Sequence, residues 1–428
     1  MSENKTIEEV VKNNLCTGCA TCVSLCPRSA IELIKDNSKG IYQPRLNEAE
    51  CNQCGTCFDV CSGHAVDFKQ LNLEIFGKEP EDILIGNYLN CYIGHATDYN
   101  IRYNSASGGL VTALLIFALE EGVIDGALVT RMKKDKPLEP EPFIARTREE
   151  IIEASKSKYC PVPANVALKE ILESKERERF AVVGLPCHIH GMRKAEQINK
   201  KLKEKIVLHV GIFCAKTISF WGTEFQLKRM GVKKEEVEKL DYRDEGWPGS
   251  MTVQLKNGHR KLSELYYYYD SKFCSFMDWR CMVCTDQTAE VADISFGDAW
   301  LPEIKRDDKV GTSIIISRSR HGEKILQQMM RKRKVVLRPI SAEKVIESQG
   351  GLSGKKRDVK ALFALSKLLC KNVPIYNQEL LEPKFNAYLI AILRYSQMFL
   401  ANHRLWKFLD LYLALIKYGS HIKSRLKI

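Results

Sequence analysis

A repeated cysteine array is the feature of this sequence that most restricts its fold. Residues 16–27 read CTGCATCVSLCP and residues 51–63 read CNQCGTCFDVCSG, so the pattern C-x2-C-x2-C-x3-C occurs twice, 35 residues apart. Three closely spaced cysteines wrap one four-iron cluster in a tight loop, while the fourth begins a helix directed at a second cluster. The repeat therefore predicts a small N-terminal domain organised around two [4Fe-4S] clusters.

The spacing also predicts which cysteines share a cluster, because the fourth cysteine of each array ligates the cluster of the other array. The expected sets are Cys16, Cys19, Cys22 and Cys61 at one site, and Cys51, Cys54, Cys57 and Cys26 at the other. Four thiolates also suit zinc, but zinc modules usually separate two C-x2-C pairs by a longer loop. The region from about residue 10 to residue 70 resembles bacterial-type ferredoxins, although Ser62 stands where a proline usually follows the fourth cysteine.

Composition excludes several other classes of protein. The chain has 16 cysteines but no apolar run after a basic stretch at its N-terminus, so neither a disulfide scaffold nor a secretory signal is expected. Residues 110–119 are too few to span a bilayer, and residues 385–418 are interrupted by basic side chains. We therefore expect a soluble, cytoplasmic protein. The formal net charge of +12 falls to about +6 if three clusters each carry roughly −2, which favours an acidic ligand or partner over nucleic acid.

The rest of the chain divides into two further regions. A charged linker with glycine and proline lies at residues 77–82, and beyond it buried-type strands at residues 127–132, 179–184 and 206–213 alternate with helical patterns. This alternation predicts an α/β domain whose strands are buried on both faces. A β-hairpin is expected around Asn257-Gly258. The expected domains are residues 1–78, 79–355 and 356–428.

The third region is leucine-rich, helical in pattern and basic. From Lys384 onward it contains eight Lys or Arg residues against one acidic residue, Asp410. Such a segment is either a solvated helical extension packed on the main domain or a docking surface for a partner or an anionic membrane. Peripheral membrane association through these basic helices, without a spanning segment, is therefore one of the expectations for this chain.

Eight cysteines lie outside the two arrays, and four of them have informative positions. Cys187 and Cys214 follow two predicted strands, in VVGLPC and HVGIFC, at the edge where α/β sheets bind ligands. Cys281 and Cys284 form a C-x2-C pair. The spacing alone leaves three alternatives open, namely a third cluster, a zinc half-site at the pair, and ordinary buried thiols at the two strand ends.

Six segments in a fixed order carry a resemblance to a known family: SASGGLVTALL, SKYC, VVGLPCHIHGMRKAE, VGIFC, C-x2-C-T-D and ADISFGDAW. Over roughly residues 80–355 the chain resembles the beta-subunit family of coenzyme F420 hydrogenases and dehydrogenases, whose relatives include 7-hydroxymethyl chlorophyll a reductase. The resemblance implies an α/β (α+β) flavoprotein domain that binds FAD and its own [4Fe-4S] cluster, between the ferredoxin-like domain and the helical extension. The implied ligands are Cys187, Cys214, Cys281 and Cys284, with Cys274 as the main rival for a ligand position.

Three elements are candidates for holding the flavin. The Ser107-Gly108-Gly109 loop precedes a predicted helix, and small residues there let backbone N–H groups approach a phosphate, although Gly-Gly is also a common plain turn. Lys158 is expected to pair with a cofactor phosphate or carboxylate, unless it is only solvated. Asp298, at the strand end in ADISFGDAW, either contacts the cofactor or caps a helix.

Together with the iron–sulfur arrays, the resemblance implies an oxidoreductase of the F420H2 dehydrogenase or F420:ferredoxin type. A flavin exchanges an electron pair with a hydride carrier and single electrons with iron–sulfur clusters. The expected route joins reduced coenzyme F420, FAD, the central cluster, the ferredoxin clusters and an external ferredoxin or larger redox complex. No catalytic side chain is named, because hydride transfer between stacked rings needs orientation above all. The alternatives are a ferredoxin-dependent reductase of an organic substrate, of the chlorophyll or polysaccharide-locus type, and an electron-transfer subunit without its own substrate site.

Overall fold

The computed structural model describes residues 5–425, with side chains described from residue 5 to residue 415. Its N-terminal part contains α1 (Ile7–Lys12), α2 (Thr21–Leu25), β1 (Ile31–Asp36), β2 (Ile41–Leu46), α3 (Thr56–Asp59), β3 (Ala65–Val66) and α4 (Phe68–Phe76). The antiparallel hairpin of β1 and β2 separates the two cysteine arrays in the chain. Each array runs into a short helix, α2 in the first and α3 in the second. This arrangement follows the ferredoxin-like repeat that the sequence predicts.

An eight-stranded mixed sheet forms the centre of the molecule. The strands after β3 are β4 (Asn90–Ala96), β5 (Gly126–Met132), β6 (Pro140–Ala145), β7 (Phe180–Gly184), β8 (Ile206–Ile212), β9 (Val237–Asp244), β10 (Ser250–Leu255), β11 (Arg260–Leu262), β12 (Ile294–Asp298), β13 (Ser313–Ser317), β14 (Val335–Ile340) and β15 (Ile375–Tyr376). The central sheet has the order β14-β4-β13-β12-β8-β7-β5-β6. Strands β5, β7, β8 and β12 pair in parallel, so their carboxyl ends meet at one edge of the sheet.

Helices cover both faces of this sheet. The helices after α4 are α5 (Tyr99–Tyr103), α6 (Leu110–Glu120), α7 (Arg148–Glu153), α8 (Leu168–Glu173), α9 (Pro186–Ile198), α10 (Lys200–Lys205), α11 (Phe220–Arg229), α12 (Ser271–Cys274), α13 (Trp279–Met282), α14 (Pro302–Asp307), α15 (Arg320–Arg331), α16 (Ala342–Ser348), α17 (Leu352–Arg357), α18 (Val359–Leu368), α19 (Phe385–Asn402) and α20 (Trp406–Arg425). In β7, Ala181 faces the apolar core under α6 and α15. Its neighbours Phe180 and Val182 face the opposite core under α8 and α9, as the two-residue period of a strand requires.

The N-terminal part shares this second core with the sheet. Leu25, Val60 and Phe68 belong to the same buried cluster as Leu168 and Ile189. Strand β15, from the C-terminal region, pairs in parallel with β3 of the N-terminal part. Apolar packing therefore holds the N-terminal part against the central sheet, and the β3–β15 pair joins it to the C-terminal region. The domain boundaries themselves stay predictions.

A small antiparallel sheet lies beside the carboxyl edge of the central sheet. It has the order β11-β10-β9, and the hairpin expected around Asn257-Gly258 is present between β10 and β11. Gly258 has a φ of +81°, which the tight turn requires and a residue with a Cβ adopts poorly. Helices α19 and α20 follow at the C-terminal end. No helix among the described residues is long and apolar enough to span a bilayer.

Candidate functional site

The first thiol group lies inside the N-terminal part, where the structure brings together four cysteines that the array spacing assigns to one site. The Cys16 thiol lies within electrostatic reach of the Cys61 and Cys19 thiols, and the Cys22 thiol lies within reach of the other three. Burial raises the pKa of Cys16, Cys22 and Cys61, and neighbouring thiols raise it further. Four thiolates placed in this way need a positive charge among them, which the core of a four-iron cluster supplies.

The second thiol group contains the other four cysteines of the arrays. The Cys57 thiol lies within electrostatic reach of the thiols of Cys26, Cys54 and Cys51, and burial raises the pKa of Cys57 to about 11. Cys26, Cys51 and Cys54 are only half-buried, whereas all four side chains of the first group are buried. The second group lines a pocket together with the exposed Pro27. This group is therefore the more accessible of the two.

Both arrays follow the same local path, which explains why they give similar sites. The backbone N–H of Gly18 donates to Cys16 Sγ, and that of Gln53 donates to Cys51 Sγ, each over 3.3 Å. Both donor residues have positive φ angles, +69° at Gly18 and +54° at Gln53. Hydrogen bonds to sulfur stabilise thiolate charge and are one means by which a protein sets a cluster's potential. The local geometry of both arrays thus fits thiolate ligands.

The third thiol group lies at the carboxyl edge of the central sheet. Cys187 is in the first turn of α9, directly after β7, while Cys214 follows β8 and the C-x2-C pair begins in α13. The Cys187 thiol lies within electrostatic reach of the Cys214, Cys281 and Cys284 thiols. Burial raises the pKa of Cys187, and it raises that of Cys214 to about 12. The structure thus brings together, from three separate segments, the four cysteines that the resemblance implies.

A single metal ion and a four-iron cluster make different demands on such thiols. Among the residues whose side chains the structure describes, no group of three or more His, Cys, Asp or Glu residues is arranged to hold one metal ion. Around one zinc ion all four sulfurs lie about 2.3 Å from the same atom. In a four-iron cluster each thiolate binds a different iron, so the four sulfurs stand further apart.

The remaining cysteines are engaged elsewhere. Cys274, the rival ligand, donates its S–H to the Tyr268 carbonyl oxygen over 3.3 Å. Cys160 is buried, which raises its pKa to about 12. Cys91 packs in an apolar core, and Cys370 is exposed. Cys274 thus contacts the tyrosine segment, whereas the thiols within electrostatic reach of Cys187 include those of Cys214, Cys281 and Cys284.

Two buried or half-buried cations face the third group, and the sequence analysis missed both. Arg280, which is 3% exposed, lies within electrostatic reach of the Cys284, Cys187 and Cys281 thiols. Lys355, in α17, faces the thiols of Cys284, Cys214 and Cys281, and they raise its pKa although burial opposes this. In the sequence, only the position of Arg280 directly before Cys281 indicated that a cation lies near this group. Positive side chains here stabilise the negative charge of four thiolates.

The three thiol groups form a continuous series. The Cys187 thiol of the third group lies within electrostatic reach of Cys19 in the first group. The Cys22 thiol of the first group lies within reach of Cys57 in the second. In addition, the Ser62 hydroxyl, next to the last cysteine of the second array, donates to the Cys187 carbonyl oxygen over 2.9 Å. The first group is therefore the middle member of the series.

Helix α9 packs closely against the first array, which lets the third thiol group lie near the first. A Cβ added at Gly191 in α9 would lie only 2.4 Å from the Thr21 hydroxyl oxygen. The Asn165 side-chain amide donates to that Thr21 hydroxyl over 2.7 Å and to the His188 carbonyl oxygen over 3.0 Å. Thr21 Oγ1 also lies 3.3 Å from Cys19 Sγ. Hydrogen bonds therefore connect the first group to the residue that follows Cys187.

The glycine loop proposed for a flavin phosphate packs tightly on the sheet. Gly108 donates its N–H to Ser313 Oγ over 2.9 Å, and Ser107 Oγ donates to the Thr312 carbonyl oxygen over 2.9 Å. A Cβ at Gly108 would lie 2.7 Å from the Gly94 carbonyl oxygen. Gly109 caps α6 with a φ of +73° and offers no side-chain cap. Close packing thus explains why residue 108 is a glycine. The start of α6 has no side-chain cap, so its free backbone N–H groups could still bind an anion.

The two other flavin candidates are held by neighbouring groups. Lys158 Nζ donates to three backbone carbonyl oxygens, those of residues 154, 155 and 156, at 2.6 to 3.1 Å. Burial lowers the pKa of Lys158 to about 7. Asp298, at the end of β12, accepts two hydrogen bonds from the Arg243 guanidinium and one from Trp247 Nε1 at 2.8 to 3.1 Å. Their roles toward a flavin stay predictions.

An aromatic cluster surrounds Asp298, and the sequence analysis did not include it. The Trp247 and Trp300 rings lie 4.9 Å apart, and the Tyr269 ring lies 5.2 Å from Trp300. Arg243 lies over the Tyr268 ring at 5.0 Å. The four consecutive tyrosines at residues 266–269 were the available signal. Trp247 and Tyr268 are buried, whereas Tyr269 is exposed and Trp300 is half-buried. Flat rings that are open on one side suit the stacking of a planar ligand.

The comparisons with known proteins define the class and the family. A model of the 4Fe-4S dicluster domain matches residues 15–65, which makes the N-terminal part an iron–sulfur domain beside a mixed α/β sheet. Models of the N-terminal and C-terminal parts of the coenzyme F420 hydrogenase/dehydrogenase beta subunit match residues 91–169 and 177–343. The chain belongs to this beta-subunit family.

Individual relatives agree with this assignment. The beta subunit of the coenzyme F420 hydrogenase of Methanothermobacter thermautotrophicus is 30% identical over 255 residues, which are 58% of this chain and 83% of that protein. One subunit of the F420H2 dehydrogenase of Methanosarcina mazei is 27% identical over 323 residues, which are 74% of this chain and 83% of that protein. A chain of the xenon-derivatised F420-reducing [NiFe] hydrogenase complex from Methanosarcina barkeri aligns with a TM-score of 0.55 at 25% identity, over 68% of this chain and 98% of that chain.

Proposed function

We propose that this protein is an iron–sulfur flavoprotein oxidoreductase that passes electrons between reduced coenzyme F420 and a one-electron carrier. The observation that carries the proposal is the series of three four-thiol groups, which runs from the sheet edge through the N-terminal part to its surface. The names of both relatives and of the solved complex include coenzyme F420. They support this carrier as the two-electron partner.

The proposal assigns one task to each part of the chain. Residues 1–78 would hold two [4Fe-4S] clusters, residues 79–355 would hold FAD and a third cluster, and residues 356–428 would be the C-terminal extension, whose described part includes α18, α19 and α20. When bound, FAD would convert between an electron pair and single electrons, and the clusters would carry single electrons. The thiolates of the third group would be Cys187, Cys214, Cys281 and Cys284. The reaction is proposed for the cytoplasm.

The chain itself contributes electrostatic support to the third group. Arg280 and Lys355 place two positive charges beside its thiols. Cys187 lies in the first turn of α9, where the helix dipole favours negative charge. These charges and the dipole would stabilise the thiolates and, with them, the more negative reduced state of the site. In the first group, by comparison, the Cys61 thiol has Lys194 as its neighbouring cation.

The flavin and the deazaflavin would bind at the carboxyl edge of the sheet. This edge carries the uncapped start of α6, the Asp298–Arg243 pair and the aromatic cluster around Trp300. Phe213, directly after β8, donates its N–H to the Phe296 carbonyl oxygen in β12 over 2.8 Å, so the ends of these two strands are adjacent. The flavin candidates and the third thiol group therefore occupy adjacent strand ends. The residues of this edge would bind and orient the rings, which is the main requirement for hydride transfer.

The electron partner would bind at the second thiol group. Cys26, Cys51 and Cys54 are only half-buried, and Pro27 and Gln53 beside them are exposed. A ferredoxin or a larger redox complex could approach this group more closely than the first group, whose four side chains are buried. The third group is half-buried too, but it adjoins the sheet edge proposed for the flavin. Electrons could run in either direction along the three thiol groups, because the same ligands would hold the clusters in both cases.

An anaerobic titration of the purified, cofactor-loaded protein with reduced coenzyme F420 tests this proposal. We expect the flavin and iron–sulfur absorption to bleach while oxidised coenzyme F420 appears. Reduced nicotinamide, added as the control donor, should leave the spectrum unchanged. A protein that dithionite reduces but reduced coenzyme F420 does not would contradict the proposal and favour a ferredoxin-dependent reductase.

A further inference from the structure

Helices α19 and α20 expose apolar side chains, of which Phe399 stacks on the exposed His403 ring at 4.0 Å. In α19 these side chains are related by spacings of three, four and seven residues, so they share one helix face. They are Phe385, Tyr388, Leu389, Ile392 and Phe399. In α20 the same spacing occurs; the exposed residues are Phe408, Leu411 and Leu415. Phe385 is 95% exposed and Phe408 is 61% exposed. We call these eight side chains the apolar face.

The opposite side of each helix is fixed to the protein. In α19, Ala387, Ala391 and Met398 pack in one buried cluster with Trp279. In α20, Leu409 packs in the cluster of the small sheet. Because the inner sides already hold both helices in place, the apolar face is not the surface through which they fold onto the chain. It remains available to bind something else.

The charge around the apolar face indicates what kind of partner it binds. From residue 384 onward the sequence has eight Lys or Arg residues and one acidic residue, Asp410. The carboxylate of Asp410 is paired with Lys272 at 2.5 Å, so it does not neutralise the basic side chains of the helices. Lys384, Arg394, Arg404 and Lys407 are all exposed. The surface therefore combines apolar and aromatic residues with nearly uncompensated positive charge.

We propose that α19 and α20 dock this protein on an anionic lipid surface, with the apolar face inserted among the lipids and the basic side chains at the headgroups. An apolar helix face combined with Lys and Arg is what interfacial helices use, and anionic headgroups attract basic residues near a membrane. A second copy of this chain is disfavoured as the occupant, because two equally basic surfaces repel each other. This inference goes beyond the proposed redox function and does not depend on it.

Sedimentation with vesicles tests the proposal on the full-length protein. We expect binding to phosphatidylcholine vesicles that contain about 30% phosphatidylserine, and weak binding to phosphatidylcholine alone. The double variant Leu389→Gln/Phe408→Gln should bind about tenfold more weakly because it loses apolar insertion. The double variant Lys384→Gln/Lys407→Gln should also bind about tenfold more weakly, and added salt should reduce this difference.

The matched control is Leu262→Gln/Leu265→Gln, which changes two leucines that are 50% and 58% exposed at the end of the small sheet's hairpin. This control should bind vesicles as the unchanged protein does. Two results would overturn the proposal. One is equal vesicle binding by the unchanged protein and Leu389→Gln/Phe408→Gln. The other is no vesicle binding together with a dimer in light scattering that the same variant abolishes, which would make the apolar face a contact between copies.

Discussion

The two kinds of thiol group in this protein are assembled in different ways. The first and second groups take their ligands from two arrays of eleven residues that follow the same local backbone path. The third group takes Cys187, Cys214 and the pair at Cys281 from segments that meet only at the edge of the folded sheet. Local spacing can build the first kind, whereas the second kind depends on the whole α/β fold. The third group should therefore be the more sensitive to changes in its surroundings.

The largest effect is expected from removing a ligand of the third group. The variant Cys187→Ala should lose about one third of the bound iron, because one of three proposed clusters cannot form. Electron transfer from reduced coenzyme F420 to an external one-electron acceptor should then fail. Iron analysis and an anaerobic acceptor assay measure the two effects.

The control for this comparison is Cys274→Ala, which removes a buried thiol bonded to the Tyr268 carbonyl oxygen. It should keep the full iron content and the full rate of transfer. If Cys274→Ala loses the iron and Cys187→Ala keeps it, the assignment of the third group is wrong.

The next largest effect is expected from Arg280, which lies between the N-terminal part and the third thiol group. The Arg280 guanidinium donates from Nε to the Gly63 carbonyl oxygen over 2.7 Å and from Nη2 to the Ser62 carbonyl oxygen over 2.9 Å. Arg280→Met leaves these buried acceptors unpaired and removes a positive charge beside the third group. We expect a loss of about 3 kcal/mol in the free energy of unfolding and a more negative reduction potential for the third group.

Denaturant unfolding and a spectroscopic redox titration measure these effects. The control Arg306→Met changes an exposed arginine whose described partner is Asp307, and neither quantity should change. An unchanged potential in Arg280→Met would show that this arginine serves packing alone.

A smaller effect is expected from the pH response of His188, which follows Cys187. Burial lowers the pKa of His188 to about 4, whereas a histidine in the unfolded chain titrates near 6.5. The unfolded state therefore takes up a proton first as the pH falls, and stability present above about pH 6.5 is lost between there and about pH 4. Between pH 7.5 and 5.5 this loss amounts to about 1.4 kcal/mol.

The variant His188→Gln removes this titration and keeps an acceptor for the Leu185 N–H, which donates to His188 Nδ1 over 3.2 Å. Thermal unfolding at the two pH values should therefore show a smaller difference in the variant than in the unchanged protein. Equal differences would mean that His188 is charged in the folded state near pH 6.

The smallest effect is expected at the contact between the N-terminal part and the third thiol group. Ser62→Ala removes the hydrogen bond from the Ser62 hydroxyl to the Cys187 carbonyl oxygen, at a cost of about 1 kcal/mol in the free energy of unfolding. Ser396→Ala, which removes a bond within α19, should not destabilise the protein. If the Ser62 variant is as stable as the unchanged protein, this contact does not help to hold the first and third groups together.

The comparison also explains how much of the site the sequence could predict. The arrays were readable because each has three ligands within seven residues, and the dicluster match confirms the iron–sulfur prediction for this region. The third group was suggested by strand ends and a C-x2-C pair, but only the fold shows that they converge. Arg280 had one local signal, its position directly before Cys281. Lys355 could not be predicted to face the group, because α17 is far in the sequence from all four cysteines. Gly108 is needed for packing against Gly94, a reason that no local pattern reveals.

The fold shows the same division between local and non-local features. The predicted strands at residues 127–132 and 206–213 correspond to β5 and β8, because runs of buried β-branched and apolar residues are local signals. The antiparallel pairing of β13 with β12 and β4 was not predictable from alternation alone. Strand β15 has only two residues, and its partner β3 lies at the other end of the chain, so no periodic pattern marks it.

The most direct test of the central claim is rapid anaerobic mixing of the protein with reduced coenzyme F420. The claim is that electrons pass through the third thiol group before they reach the first and second groups. In the unchanged protein we expect the flavin absorption to bleach first and the iron–sulfur absorption to follow. In Cys187→Ala the flavin should still bleach while the remaining iron–sulfur absorption stays oxidised. Bleaching of that absorption at the same rate in both proteins would contradict the account.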